Sequence, residues 1–172
     1  MITARLLERV SPRAVMAALE SVPDPEIPMV SIVELGMVEA IEVRPNAIRV
    51  ELLPTFVGCP AIDLIRTNVA ERLAEFDLPV HVDVSFSTPW TSDRISPTGR
   101  EKLRRSGFAP PPWMGSGDRE LPMLGAAASA PVECPYCGSS RTTLESVFGP
   151  TQCRSVRYCA DCRQPFEAFK AI

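Results

Sequence analysis

The sequence predicts an α+β domain, a small sheet of about three strands packed with helices, followed by a small C-terminal β ribbon. One helix-periodic stretch, 62–76, stands among strand-like runs at 38–43, 47–53 and 80–86. Two Cys-x-x-Cys pairs, Cys134/Cys137 and Cys159/Cys162, are separated by 21 residues near the end of the chain. Between these parts, residues 107–131 are rich in Pro, Gly and Ala and carry little periodic hydrophobicity. The expected division is a domain at 1–106, a semi-stiff linker at 107–131 and a ribbon at 132–172.

Residues 12–20 read as the first helix, which the preceding segment can extend. Ser11 is placed to cap it, Pro12 occupies the first helical position, and Val15, Ala18 and Leu19 share a face. Three prolines at 23, 25 and 28 then forbid both helix and ladder and force a stiff strap that presents Asp24 and Glu26. An apolar turn over 30–38, punctuated by Gly36, leads into a hairpin closed at Pro45-Asn46. In the next helix Ile62, Ile65, Val69, Leu73 and Phe76 form one stripe, with Asp63, Arg66, Glu71, Arg72 and Glu75 opposite. Leu78-Pro79 ends it. Val80, Val82, Val84 and Phe86 then alternate with polar residues, the period of a half-buried strand. A break at 88–91 is expected to pack Trp90 and to cap its turn through Thr91 or Ser92. A short basic helix over 97–105 follows, capped by Ser96. Trp113 and Met114 interrupt the linker and can dock it on a neighbour.

At 172 residues with 45% hydrophobic and 23% charged content, the chain suits one ordinary domain and a small appendage. A net charge of −3 gives no attraction to nucleic acid or an anionic membrane, and no apolar run reaches membrane-spanning length. The first twenty residues lack the pattern of an export signal, which predicts a cytoplasmic protein.

Five of the six cysteines crowd into the last 39 residues, in a stretch too short for an ordinary hydrophobic core. The paired spacing points to four thiolates on one structural zinc, which would supply the missing folding free energy; iron in its place has the same spacing. Gly138 relieves the turn after the first pair, and Arg163 holds the same place after the second. Cys153 is a spare ligand, a redox partner or a packed apolar residue. From Val132 onward five basic residues face four acidic ones, too even a balance for a phosphate-binding surface. Protein docking is preferred, with the final strand over 165–170 offering two aromatics.

Cys59 is the remaining thiol. In Thr55-Phe56-Val57-Gly58-Cys59-Pro60 an extended run stops at Gly58, and Pro60 is suited to a first helical position, so Cys59 is expected at or near the helix N-cap. There the helix dipole favours thiolate, the form that binds metal or attacks an electrophile. A buried small apolar residue is the alternative reading. Nucleophilic catalysis needs a base, and His81, the sole histidine, is expected on the polar face of its strand, so a self-contained cysteine enzyme is disfavoured. Asp24 and Glu26 are either hard-oxygen ligands or turn-forming carboxylates.

The segments Asp24-Pro25-Glu26-Ile27-Pro28, Leu35-Gly36-Met37-Val38, Thr55 to Pro60 and Pro89-Trp90-Thr91 resemble the iron-sulfur assembly domain family that includes SufT. With Trp90 to Ile95, Gly107 to Pro111, Phe148 to Cys153 and Pro165 to Lys170, nearly the whole chain resembles the PaaD (PaaJ) family, whose members belong to bacterial phenylacetyl-CoA epoxidase systems. The resemblance implies a fold like the NifU C-terminal domain and an accessory, non-catalytic role in aerobic phenylacetate degradation. It implies maturation of an iron or iron-sulfur centre of the oxygenase or reductase components, which are its implied partners. In that light Cys59 is the reactive thiol handling transient iron or a cluster, Asp24 and Glu26 are its acidic pair, and Thr55, Gly58, Trp90 and Thr91 support it. Cys134, Cys137, Cys159 and Cys162 match the ribbon ligands, and Cys153 also falls in the pattern. One Cys59 per chain cannot hold a cluster alone, so a homodimer, a partner or an external thiol would complete it. The alternative is a structural or adaptor role in the epoxidase, with docking through the ribbon.

Overall fold

The computed structural model describes residues 10–115 and 132–171, and the chain separates into two compact units, Met1–Trp90 and Thr91–Ile172. Residues 1–9, where an extension of the first helix is expected, and 116–131 of the expected linker lie outside the described residues.

The first unit opens with α1, Pro12–Leu19, capped as its sequence predicts: Ser11 Oγ accepts from the N–H of Ala14 at 3.1 Å, and Val15, Ala18 and Leu19 are buried. Strands β1 (Val38–Arg44) and β2 (Ala47–Leu52) form the hairpin, with Arg44 opposite Ala47. Helix α2, Ile62–Leu73, then crosses to β3, Val80–Val84, which pairs parallel to β2. The sheet order is β1-β2-β3, so β2 is central, and its Ile48, Val50 and Leu52 are fully buried. Against this sheet α2 buries Ile65, Val69 and Leu73, three of the five residues in its predicted stripe. Because β2 and β3 are parallel, the segments that follow them leave the sheet at one end, where the Ser85 N–H donates to Leu52 O at 2.9 Å.

Three local expectations change. The helix runs to Leu73 and tightens into a 3₁₀ turn, Ala74–Phe76, which Asp77 ends in a left-handed conformation at φ 56° before Pro79 is reached. Phe86 lies beyond the end of β3 and is 60% exposed, because the ladder to β2 stops at Val84. Of the two residues expected to cap the turn, Thr91 or Ser92, Thr91 precedes the 3₁₀ turn Ser92–Arg94 without a side-chain capping bond; the turn closes through the Arg94 N–H on Thr91 O.

In the second unit α3, Pro97–Arg105, is capped by Ser96 Oγ, which accepts from Gly99 N–H. It is followed by the two-residue strand β4, Phe108–Ala109. Strands β5 (Thr142–Ser146), β6 (Arg154–Cys159) and β7 (Pro165–Phe169) form an antiparallel meander, and β4 adds to β7 in parallel, giving the order β4-β7-β6-β5. The sequence places the end of the first domain at residue 106, whereas the contacts divide the chain at Trp90/Thr91, since Phe108 and Ala109 pair with Glu167 and Ala168. Arg100, 7% exposed, gathers this segment by donating to the carbonyls of Ile95, Ser92 and Pro111. Its guanidinium also stacks on Trp113 at 3.6 Å, so the expected docking of Trp113 is onto α3. Phe166 and Phe169 do not present a docking face: they are 4% and 3% exposed, and Phe166 packs in a buried cluster with Ala109, Cys134, Cys159 and Ala168.

Candidate metal centre and thiol site

Two turns of the same design bring the ribbon cysteines together. In the first, Cys134 N–H donates to Ser139 O and Gly138 N–H to Cys134 O; in the second, Cys159 N–H donates to Gln164 O and Arg163 N–H to Cys159 O. The fifth residue of each turn is left-handed, Gly138 at φ 74° and Arg163 at φ 59°. The equivalence read from their places in sequence is therefore a conformational one, and only Gly138 adopts that conformation without steric cost. Asp161 ties the two turns together, accepting from Ser139 Oγ and pairing with Arg141 at 2.6 Å. No motif marks that role for Asp161 in the sequence.

The four sulfurs of Cys134, Cys137, Cys159 and Cys162 all lie within 4.8 Å of one another, with Cys134–Cys162 and Cys137–Cys159 at 3.6 Å. Tetrahedral zinc, with Zn–S of about 2.3 Å, places its sulfurs about 3.8 Å apart, so the set fits that ion. Cys134 and Cys159 are buried in a small apolar cluster with Ala109, Phe166 and Ala168, while Cys137 is exposed. Backbone N–H groups of Cys162 and Asp161 pull the Cys159 thiol down to about 7, whereas burial and the neighbouring sulfurs push Cys162 up to about 12. Such a divergence is expected where like groups share one site and cannot all ionise. A divalent cation removes the conflict by replacing the protons.

Cys153 is outside this tetrad. Its Sγ lies 3.2 Å from Thr151 Oγ1, and its carbonyl accepts from Lys170 N–H.

In the first unit, Cys59 is half-buried in the segment that leaves β2. The helix begins later than expected: Ala61 is the N-cap, and Cys59 sits two residues upstream in a turn where its N–H donates to Phe56 O and its O accepts from Ile62 N–H at 3.3 Å. Pro60, lacking an N–H, continues that turn. In the same turn Val57 is 82% exposed, while Thr55 is buried and Gly58 exposed, and Leu64 in the first turn of the helix is 52% exposed. Trp90 is buried, and its Nε1–H donates to Leu35 O at 2.9 Å, while Thr91 is half-buried. Asp24 is buried and Glu26 exposed. Among the described residues, the ribbon tetrad is the one group of three or more His, Cys, Asp or Glu with this spacing; Cys59, Asp24 and Glu26 form no second one. His81 is exposed, as its place on β3 predicts. Among the described residues no helix is long and apolar enough to cross a membrane.

Family models match both parts of the chain, one described as iron-sulfur cluster assembly protein over residues 12–87 and one as PaaD zinc beta ribbon domain over residues 122–170. A protein of Escherichia coli (strain K12), provisionally named as the D component of 1,2-phenylacetyl-CoA epoxidase, is 36% identical over 159 residues, 92% of each chain. YitW of Bacillus subtilis (strain 168), named an Fe-S protein maturation auxiliary factor, is 36% identical over 87 residues, 48% of this chain and 82% of its own. A crystal structure of a domain of unknown function from Bacillus anthracis covers 54% of this chain and 90% of its own, at 29% identity and a TM-score of 0.50. With an assembly domain followed by a four-cysteine ribbon, and a relative aligned over nearly its full length, the chain belongs to the PaaD family of phenylacetyl-CoA epoxidase subunits.

Proposed function

We propose that the protein is a non-catalytic accessory factor of a phenylacetyl-CoA epoxidase system in aerobic phenylacetate degradation. It helps mature an iron or iron-sulfur centre of the oxygenase or reductase components. The observation that carries this reading is the separation of thiols: four ribbon cysteines form one closed set, and Cys59 stands apart on an exposed turn of the assembly domain. A stable metal site would consume all four ribbon sulfurs, which leaves Cys59 and Cys153; of these, Cys59 belongs to the assembly domain and is taken as the thiol for transient cargo. One sulfur holds a soft ion weakly, which suits hand-over better than storage; the other ligands come from a second copy of the chain, the client protein or a small thiol. Zinc in the ribbon is structural. It supplies folding free energy on the order of 10 kcal/mol and takes no part in the transfer.

The test is a Cys59→Ser variant produced anaerobically beside the oxygenase and reductase. Iron content and activity of those partners are expected to fall, while the ribbon keeps one zinc per chain. Full iron and activity beside the variant would remove the transfer role. A second reading, a structural adaptor, is supported by the exposure of Tyr136 (58%) and Phe148 (72%) on the ribbon. It predicts stoichiometric co-purification with active enzyme and indifference to Cys59→Ser.

A further inference from the structure

We propose that Asp161 is a positioning residue of the ribbon's metal centre: by joining the two cysteine turns it holds the exposed Cys137 side of the site closed and slows the loss of the ion. This concerns the four ribbon sulfurs alone and does not depend on the transfer reading above.

The turns stand beyond the ladder that carries them. Pairing of β5 with β6 ends at Thr142 and Cys159, so the turn over 134–139 precedes the ladder and the turn over 159–164 leaves it. Bonds inside each turn, Gly138 N–H to Cys134 O and Arg163 N–H to Cys159 O, fix two sulfurs relative to each other but not one pair relative to the other. Across the gap the backbone supplies Ala160 N–H to Arg141 O at 2.9 Å. Two side-chain bonds add to it, and both end on Asp161: Ser139 Oγ donates to Oδ2, and Arg141 Nη1 donates to Oδ1 at 2.6 Å. Ser139 Oγ also accepts from Arg141 N–H at 3.0 Å, which closes the three residues into a ring.

This ring lies on one side of the tetrad. The Ser139 N–H hydrogen-bonds the sulfur of Cys137 and the Asp161 N–H that of Cys159, the two sulfurs 3.6 Å apart. Each end of the Ser139–Asp161 bond thus carries an amide aimed at one sulfur of that pair. Cys134 and Cys159 are packed with Ala109, Phe166 and Ala168, whereas Cys137 is exposed. Water or a competing chelator therefore reaches the site at Cys137, the ligand that exchange displaces first. For Cys137 to swing away, its turn must part from the second turn, and the bonds to Asp161 oppose that movement. Hydrogen bonds that orient metal ligands from the outer shell commonly govern about 10- to 100-fold in metal affinity.

The experiment uses the zinc-loaded full chain, as wild type and as Asp161→Ala, Asp161→Asn, Ser139→Ala and the Ser139→Ala/Asp161→Ala double variant. Each substitution leaves the backbone amides in place. The first readout is the rate of zinc transfer to an excess of a chromogenic chelator. Asp161→Ala is expected to speed it about tenfold, the low end of the range for outer-shell partners. Asp161→Asn keeps an acceptor for Ser139 and loses only the charge beside the exposed Arg141, so about threefold is expected. Ser139→Ala should speed release less in the Asp161→Ala background than in the wild type, since the bond they share is already gone. The second readout is alkylation of the individual cysteines, followed by peptide mass mapping. Asp161→Ala is expected to raise reactivity at Cys137 while the buried Cys134 and Cys159 stay protected. Wild-type release from Asp161→Ala, or fully additive effects of the two single substitutions, would overturn the proposal. So would an equal rise in alkylation at Cys134, Cys137 and Cys159, the pattern of a ribbon loosened throughout. If Asp161→Ala takes up no zinc, Asp161→Asn and Ser139→Ala decide: wild-type release from both overturns the proposal, and faster release with Cys137 alkylated first supports it.

Discussion

Exchanging the left-handed residue between the two metal-binding turns isolates a backbone term in metal affinity. Gly138 and Arg163 occupy equivalent positions at φ 74° and φ 59°, and both lie at the surface of the ribbon. An ideal Cβ built on Gly138 meets no atom within 4 Å, so Gly138→Ala introduces no clash and its cost is conformational. For an L-residue that conformation costs about 1–2 kcal/mol, and removing a glycine from the unfolded chain returns about 0.5–1 kcal/mol. The net loss is about 0.5–1 kcal/mol, and Arg163→Gly is the mirror case, with a net gain of the same size. Since metal binding and folding of so small a ribbon are one equilibrium, these energies appear as a roughly two- to fivefold weakening of zinc binding in Gly138→Ala. The same factor is expected as a strengthening in Arg163→Gly. A competition titration of the full chain against a chromogenic zinc chelator at fixed pH resolves such factors. Shifts of the same sign in both variants, or no change in Gly138→Ala, would refute the reasoning, because the backbone would then not be what distinguishes the two turns.

Zinc affinity is expected to rise with pH: Cys162, pushed up to about 12, keeps its proton through neutrality, and loading must displace it. Below about pH 7 Cys159 is protonated as well, so a plot of log affinity against pH should steepen by about one proton there, as read by the same titration at several pH values. Replacing Arg100 by Met leaves the carbonyls of Ile95, Ser92 and Pro111 without their donor and should cost about 2–5 kcal/mol in chemical unfolding of the zinc-loaded chain. Arg100→Lys is expected to recover little of this, since one ammonium cannot reproduce the planar fork. At Gly107, φ 83°, a Cβ would come within 2.9 Å of the Tyr136 hydroxyl, so Gly107→Ala should destabilise and should do so less in a Tyr136→Ala background. A double-mutant cycle by thermal unfolding measures that coupling.

Much of this molecule is legible where one residue type has one local job. Ser11-Pro12 and Ser96-Pro97 each announce a helix start, and both caps form. The strand-like run at 47–53 becomes the buried central strand, and the cysteine spacing becomes a four-sulfur cluster. What escapes is what depends on distant partners. A two-residue strand at Phe108–Ala109 has no period to detect, and its pairing with Glu167 and Ala168 exists only once the chain has folded back. The aromatics of β7 look available for docking until their burial is known, Phe166 packing in the cluster that holds Cys134 and Cys159. Phe86 continues the alternation of β3, yet the pairing ends two residues earlier. At the candidate thiol site, Cys59 and Asp24 are both legible as notable residues. The local reading places Cys59 at or near the helix N-cap, and it lies two residues before Ala61, the N-cap; what differs is Pro60, which continues the turn before the helix instead of taking its first position. For Asp24 the sequence holds both a ligand and a turn-former, and the N–H groups of Glu26 and Ile27, both donating to Asp24 Oδ1, favour the second.

The parallel addition of β4 to β7 also sets an order of events during synthesis. Ala109 is made about 60 residues before its partner Ala168, an interval of roughly 3–12 s at ordinary translation rates. For that time α3 and its short strand have no edge to join. The ribbon's last strand, made after both of its partners, completes its own sheet and the pairing of β4. A ribosome stalled before residue 165 would therefore hold a chain whose second unit is unfinished at both ends, whatever metal is at hand.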